Sequence, residues 1–328
     1  MLAKSKDDAK NHRAYARKII KEITNERSFV TTERIRFGPR YFVAKGNYQK
    51  YTSLFKIALY PKSYDHLTNE KFSREILFLN IIQNSKFKNL KKSIPHIYDS
   101  SIKTRAWYFR EYLTGKVQNI NGGNIRFKDS FFTTAHLNWF INAFSELQNI
   151  TLKDLPLQFK KLLYPHQTLE YLWRFISPDY KTLEKFIGIP GSTKDIHNIF
   201  LKNSKIYKNA PKVLAHQEVY SPHIININGQ LKMIDWENIG WATPTNDIVA
   251  MWMRAHNHPN WQKKLKKSFQ NKYKKYKQFD QLWDITVLVQ SVYNVISYHH
   301  YFDKKDFEAL AIFSGKMVKQ ILKKSQNK

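Results

Sequence analysis

The sequence predicts an α+β fold: a small antiparallel sheet followed by a larger, mainly helical part. Three observations carry this reading. Apolar and polar residues alternate between positions 34 and 61, and a strand-like pattern returns over 94–116. From about residue 129 the apolar spacing changes to three and four, the period of a helix. The helical part is interrupted by two short apolar runs, HIININ and QLKMID, around Asn228-Gly229, a strong hairpin signal.

The elements follow in order. Residues 8–25 (DAKNHRAYARKIIKEITN) read as a basic amphipathic helix with Tyr15, Ile19, Ile20 and Ile23 on one face. Residues 34–61 read as three strands, broken at Gly38-Pro39 and at Lys45-Gly46-Asn47. KFSREILFLNIIQN (71–84) is a helix with an apolar stripe of Phe72, Ile76, Leu77, Leu79 and Ile81. Strands over 94–116 end at Thr114-Gly115, and Asn121-Gly122-Gly123 marks the passage to helices. DSFFTTAHLNWFINAFSELQN (129–149) places Phe132, Leu137, Phe140, Ile141, Phe144 and Leu147 near helical spacing. Further helices are expected near 167–176, 180–188, 193–205, 246–256, 260–278, 281–302 and 305–324. The domain boundaries drawn from this are 1–29 for the N-terminal basic helix, 30–113 for the sheet with its helix, and 114–328 for the helical part. A nucleotide cleft between two lobes would have this order.

Composition narrows the classes of function. A hydrophobic fraction of 42% over 328 residues supports a sizeable core. The absence of cysteine excludes disulfides, thiolate zinc sites and a cysteine nucleophile, and fits a reducing cytoplasm. The start, MLAKSKDDAK, lacks the apolar run of a secretion signal. The most apolar helix, residues 285–302, carries Gln290, Ser291, Asn294 and two histidines, so a buried helix explains it better than a membrane span. A cytoplasmic protein with no transmembrane segment is therefore expected. The formal charge of +29 would attract phosphates, nucleic acid or anionic lipid, but lysine is also spread along the whole chain. WQKKLKKSFQNKYKKYKQF (261–279) puts Trp261, Leu265, Phe269, Tyr273 and Tyr276 on one helical face, with eight lysines around it. It reads as an amphipathic helix with a solvated lysine face, or as a contact for a polyanion.

Two groups of residues could carry chemistry. Lys56 lies among Leu54, Phe55, Ile57 and Ala58 in the third strand, where an unpaired lysine is costly. Glu75, on the following helix, is a partner of the right sign. A strand lysine with a helix glutamate shortly after is one way to hold nucleotide phosphates. The second group is AHQEVYSPHIININGQLKMIDWENIGW (215–241). It runs His216, Glu218, His223, hairpin, Asp235, Glu237. A carboxylate at a loop tip can accept or orient a hydroxyl proton. A carboxylate at a strand end can hold Mg²⁺ against phosphate oxygens.

These segments resemble the aminoglycoside phosphotransferase and choline kinase superfamily. Its catalytic loop reads like H-G-D-x-x-x-x-N and its metal loop like I-D-W/F-E. Here they become His216-Gln217-Glu218 with His223, and Ile234-Asp235-Trp236-Glu237. The run LKMIDWENIGWATPTNDIVAMW looks especially like bacterial choline and thiamine kinases, with Asp247 as the downstream aspartate that braces the catalytic loop. The resemblance covers roughly residues 30–300. It implies a protein-kinase-like fold with a small N-terminal sheet lobe and a larger helical C-terminal lobe. It also implies ATP and Mg²⁺ as cofactors. Lys56 and Glu75 would place the nucleotide, and the hinge Glu111-Tyr112-Leu113-Thr114-Gly115 would receive adenine at Glu111 and Leu113. Asp235 would hold the metal with Glu237 nearby. Glu218 would orient and deprotonate the acceptor, with His216 and His223 in the same catalytic loop.

The departures leave alternatives open. Glu218 stands at the family's aspartate and is one methylene longer, a change of about 1.5 Å. His223 stands at the metal asparagine, and Mg²⁺ prefers hard oxygen ligands. Gln217 replaces the glycine after the histidine, and Pro222 replaces the glycine before the asparagine position. The first reading is an ATP- and Mg²⁺-dependent kinase acting on a hydroxyl of a small molecule. The second is a nucleotide-binding or regulatory protein without turnover, and the third an RNA-binding or RNA-directed protein on the same scaffold.

Overall fold

The computed structural model describes residues 6–120, 126–300 and 304–326, so the expected Asn121-Gly122-Gly123 turn lies outside the described residues. The chain runs α1 (Lys6–Glu26), β1 (Phe29–Phe37), β2 (Tyr41–Tyr48), β3 (Tyr51–Ala58), α2 (His66–Gln83), α3 (Lys88–Lys92), β4 (Ile97–Ser101), β5 (Trp107–Glu111) and β6 (Lys116–Val117). It continues with α4 (Thr134–Leu147), α5 (Leu157–Lys160), α6 (Leu169–Ile176), α7 (Tyr180–Ile187), α8 (Ser192–Asn209), β7 (Val213–Ala215), β8 (Ile224–Ile227) and β9 (Gln230–Met233). It ends with β10 (Gly240–Ala242), α9 (Asn246–Arg254), α10 (Pro259–Lys272), α11 (Phe279–His300) and α12 (Lys304–Gln326). Two compact units result. One gathers Met1–Lys116, Leu152–Leu163 and Ile225–Ile239; the other gathers Val117–Thr151, Tyr164–Ile224 and Gly240–Lys328. The α+β architecture expected from the sequence is present.

In the first unit β1 to β5 form one sheet in the order β1-β2-β3-β5-β4, with every described pairing antiparallel. Its apolar face buries Phe42, Phe55, Ile57, Trp107 and Phe109, and Phe55 stacks on Phe109 at 4.8 Å. Ile19, Ile20 and Ile23 of α1 pack against this cluster, while Tyr15 of the same expected face is 52% exposed beneath the Arg105 guanidinium. One expected breaker is not a turn. Strand β2 continues through Gly46 to Tyr48, and the chain reverses at Gln49-Lys50. The glycine is needed for close approach. A Cβ at residue 46 would lie 2.3 Å from the Val30 carbonyl oxygen and 2.5 Å from the Phe29 ring. Helix α2 begins earlier than its apolar stripe suggests, because Asp65 caps it by accepting from the Thr68 amide at 3.1 Å. The hairpin β8–β9 turns on Asn228 and Gly229 with φ of 51° and 91°, the positive pair that a tight hairpin turn requires.

The second unit is helical. Its core joins Leu183 and Ile187 of α7, Ile196 and Phe200 of α8, Leu288, Val292 and Val295 of α11, and Val318 and Leu322 of α12. Helix α11 is buried along most of its length. Its Asn294 amide donates to Ser314 Oγ at 3.2 Å, which accounts for polar residues in so apolar a helix. Among the described residues no helix is long and apolar enough to cross a membrane. Helix α10 buries Trp261, Leu265 and Phe269 and exposes Lys263, Lys264 and Lys267. It stops at Lys272, short of the expected 278, so Tyr273 and Tyr276 follow the helix rather than extend its face. Lys272 turns inward to Ser145 O at 2.8 Å and Asn149 Oδ1 at 2.7 Å, and burial lowers its pKa to about 8.

Candidate active site

The first unit brings together Lys56, Glu75, Asp235 and Glu237. Lys56 points from β3 toward α2, where its ammonium donates to Glu75 Oε2 at 3.0 Å and stands 3.9 Å from Glu237 Oε2. The rings of Tyr41 and Phe72 lie 4.6 and 4.5 Å from Lys56 Nζ. Carboxylate oxygens of Glu75, Asp235 and Glu237 all lie within 4.8 Å of one another. Burial alone favours the neutral amine. Glu75, the Tyr108 hydroxyl, Asp235 and Glu237 outweigh it and hold the ammonium well above the ordinary lysine range. Burial also pushes the Glu75 carboxyl up, against the pull of Lys56.

Local structure explains how the loop after β9 presents its carboxylates. Asp235 has a φ of 66°, a left-handed conformation that aspartate tolerates better than most residues. Trp236 is buried against Phe78 with ring centres 4.5 Å apart, and its indole N–H donates to Met233 O at 2.9 Å. Arg74, buried on α2, donates through Nη1 to the Glu237 carbonyl and through Nε to the Leu162 carbonyl, both at 2.6 Å. Tyr41 Oη donates to Glu237 Oε2 at 3.2 Å. Sequence reading did not single out Arg74 or Tyr41. The available signal for Arg74 was its place beside Glu75, just before the apolar run Ile76-Leu77-Phe78-Leu79.

Glu111 and Leu113 lie at the far end of the same sheet, with Glu111 opposite Ser53 on β3. The Glu111 backbone is already engaged. Its N–H donates to His96 O at 2.7 Å and its carbonyl accepts from Arg110 Nη1 at 2.9 Å, while its carboxylate pairs with Lys232. Leu113 lies past the strand end, and among the described residues no backbone hydrogen bond involves it.

His216, Glu218 and His223 lie together in the second unit, on the loop that follows β7. His216 is fully buried, and its Nδ1 accepts the Glu218 amide at 3.2 Å. Asp247, at the start of α9, accepts the His216 and Gln217 amides at 2.7 and 3.0 Å. Gln217 adopts a φ of 70°, the conformation a glycine would take without strain. Its side chain packs where a Cβ at Gly240 would come within 2.8 Å of Gln217 Nε2, so the bulk added at 217 is accommodated by its absence at 240. His223 Nδ1 donates to the Glu218 carbonyl at 3.0 Å, which leaves Nε2 unprotonated in the neutral ring.

Asp247 gives a pH-dependent expectation. Burial pushes its carboxyl from 3.8 up to about 6, against the two loop amides and the Asn246 amide. The folded pKa is raised, so this group's contribution to stability is complete below the unfolded pKa and is lost as pH rises through about 6. A shift of about two units corresponds to about 3 kcal/mol. The unfolding free energy of the parent relative to Asp247→Asn should therefore fall by about 3 kcal/mol between about pH 4 and about pH 7. Chemical denaturation at several pH values measures this, and a difference that stays flat would contradict it.

The donor chemistry fits the groups that the loops imply. Three carboxylates offer the hard oxygens that Mg²⁺ selects, beside one ammonium suited to phosphate oxygens. The His223 imidazole is a poorer donor for Mg²⁺ than the asparagine of the resembled loop.

No protein-family model matches the sequence, and no curated protein matches it. Solved structures do. A thermostable variant of aminoglycoside phosphotransferase APH(4)-Ia, solved with ADP and hygromycin B, superposes with a TM-score of 0.54 at 10% identity, covering 92% of this chain and 97% of that one. Spectinomycin phosphotransferase APH(9)-Ia, solved with ADP and spectinomycin, gives 0.52 at 12% identity, covering 93% and 98%. Macrolide 2'-phosphotransferase MphH from Brachybacterium faecium gives 0.53 at 9% identity, covering 90% and 96%. The chain therefore has the kinase-like fold of the aminoglycoside phosphotransferase superfamily.

Proposed function

We propose that this protein is an ATP- and Mg²⁺-dependent phosphotransferase that acts on a hydroxyl group of a small molecule. The observation that carries the reading is the Lys56 ammonium held 3.0 Å from Glu75 and 3.9 Å from Glu237, beside the carboxylate of Asp235. A lysine kept charged among carboxylates, in the fold shared with nucleotide-bound phosphotransferases, suits the phosphates of ATP. When bound, Mg²⁺ would neutralise charge building on the phosphate oxygens. Asp235 and Glu237 would hold it, and Lys56 would orient the phosphates while Glu75 fixes its position. Leu113, whose backbone groups make no hydrogen bond among the described residues, would receive the adenine. Glu218 would take the proton of the acceptor hydroxyl. The acceptor oxygen then bonds to the γ-phosphorus, the bond from that phosphorus to the β,γ-bridging oxygen breaks, and ADP leaves.

One observation favours a second reading. Glu218 and His223 occupy the aspartate and asparagine positions of the resembled catalytic loop, and the His223 Nδ1 is held by the Glu218 carbonyl. This would suit a nucleotide-binding protein without turnover. Two measurements separate the readings. Mg²⁺ with ATP should raise the melting temperature by several degrees, and Lys56→Met should lose that response. Labelled ATP should then transfer phosphate to a member of a panel of hydroxylated metabolites. Stabilisation without transfer would favour the second reading, and no response to any nucleotide would end both.

A further inference from the structure

Beside the candidate catalytic loop, the second unit contains a cation that meets no carboxylate among the described residues. Arg254, the last residue of α9, places its guanidinium 4.8 Å from the centre of the Tyr220 ring. Its Nη1 donates to the Ala250 carbonyl at 2.8 Å, one turn back in the same helix. Its Nε is shielded from solvent and makes no hydrogen bond. Among the described residues no carboxylate lies within ion-pair distance of it. The groups that face it are phenols, Tyr220 and Tyr293. Burial pushes the Tyr220 hydroxyl up to about 12, so it is no counter-ion near neutral pH. A guanidinium stays charged in any environment, and leaving one half-buried without an anion is costly unless a ligand supplies it.

The position ties this cation to the acceptor. Tyr220 is two residues from Glu218, its amide donates to the Glu218 carbonyl at 2.8 Å, and the Glu218 carboxylate acts on its hydroxyl. On the other side the surface opens onto aromatic rings. Tyr293 is 39% exposed and stacks on Phe175 with centres 6.3 Å apart, and Phe175 and Tyr171 of α6 are 54% and 56% exposed. The guanidinium therefore neighbours a tyrosine that adjoins a carboxylate suited to a hydroxyl, and a second tyrosine among exposed rings suited to a carbon skeleton.

We infer that Arg254 anchors an anionic group of the acceptor, so that the hydroxyl phosphorylated belongs to a compound carrying a carboxylate or a phosphate. This rests on the phosphotransferase reading for the word acceptor, and on the second unit alone for the anion site. A guanidinium offers a planar, two-pronged donor pair to either group, which an ammonium does not. The chain's charge of +29 enriches such anions near its surface before they bind.

The experiment pairs turnover with binding. Wild type is assayed with MgATP against glycerate, glycerol 3-phosphate, glycerol, choline and kanamycin. The expected result is a kcat/KM for an anionic acceptor about 100-fold above that for glycerol. Arg254→Met should lower it by about 10- to 100-fold, mostly through KM, while Arg254→Lys keeps part of it. A structural role would lower turnover of glycerol and glycerate equally, and that result would overturn the inference. A preference of wild type for choline or kanamycin would do the same. Calorimetry with malate and with inorganic phosphate, in the absence of nucleotide, separates the two anions and the two readings. Binding of either that weakens about tenfold or more in Arg254→Met supports the anion site, even if no compound on the panel is phosphorylated. If neither anion binds while MgATP still stabilises the protein, the inference falls and the phosphotransferase reading stands.

Discussion

Asp235→Asn is expected to abolish phosphoryl transfer while leaving the protein folded. In the proposed reaction this carboxylate holds the metal, and loss of a metal's charge stabilisation costs several kcal/mol in the transition state. A fall in kcat of at least about 10³-fold, or about 4 kcal/mol, follows. Stability should move little or slightly upward. Three carboxylates lie within 4.8 Å of one another and share one ammonium, so neutralising one relieves repulsion. Asparagine is the right comparison because residue 235 has a φ of 66°, which asparagine tolerates as aspartate does. Asp235→Ala should lose the same turnover and about 1 kcal/mol of stability as well. The pair of variants separates charge from backbone conformation. Turnover of the asparagine variant within about threefold of the parent would remove Asp235 from the metal site.

The order of elements was readable because it depends on periodicity and turn chemistry. Alternation marked the sheet, Asn228-Gly229 marked the hairpin, and helical spacing marked α6 to α12 within a few residues for most boundaries. Gly46 misled because a glycine in a strand signals either a turn or a close approach, and only the neighbouring Phe29 ring decides which. The candidate site was readable where residues are adjacent in sequence, as in Ile234-Asp235-Trp236-Glu237. It was not readable where one side chain reaches backbone far away. Arg74 bonds the carbonyls of Leu162 and Glu237, 88 and 163 positions along the chain, and no local pattern announces such a contact. Arg254 was hidden for a related reason. A lone arginine at a helix end reads as favourable to the helix dipole, and only the lack of a carboxylate near it among the described residues distinguishes it. The departure at Gln217 is legible in retrospect beside Gly240, whose missing Cβ leaves room for the Gln217 amide and for Tyr164.

Glu218→Gln tests the catalytic loop from the acceptor side. Glutamine keeps the length and shape of glutamate and loses the ability to take a proton. A positioned general base contributes about 10²- to 10⁴-fold, so kcat should fall by at least about 100-fold. Nucleotide affinity, which Lys56 and Asp235 are proposed to set, should stay within about twofold. This split between kcat and binding is the signature of a group that acts on the reacting hydroxyl. Glu218→Asp adds a second constraint. The resembled loop has aspartate, yet its backbone carries glycine where this chain has Gln217 at a φ of 70° and Pro222 beyond it. Shortening the side chain by about 1.5 Å in this altered loop should therefore lower kcat, by about 10- to 100-fold, instead of restoring a better enzyme. Full activity in the aspartate variant would mean that the loop tolerates either length and that the glutamate is incidental. Equal activity of wild type and Glu218→Gln would mean that the proton goes elsewhere. Wild-type protein that binds MgATP but phosphorylates nothing would leave residue 218 without a reaction to catalyse.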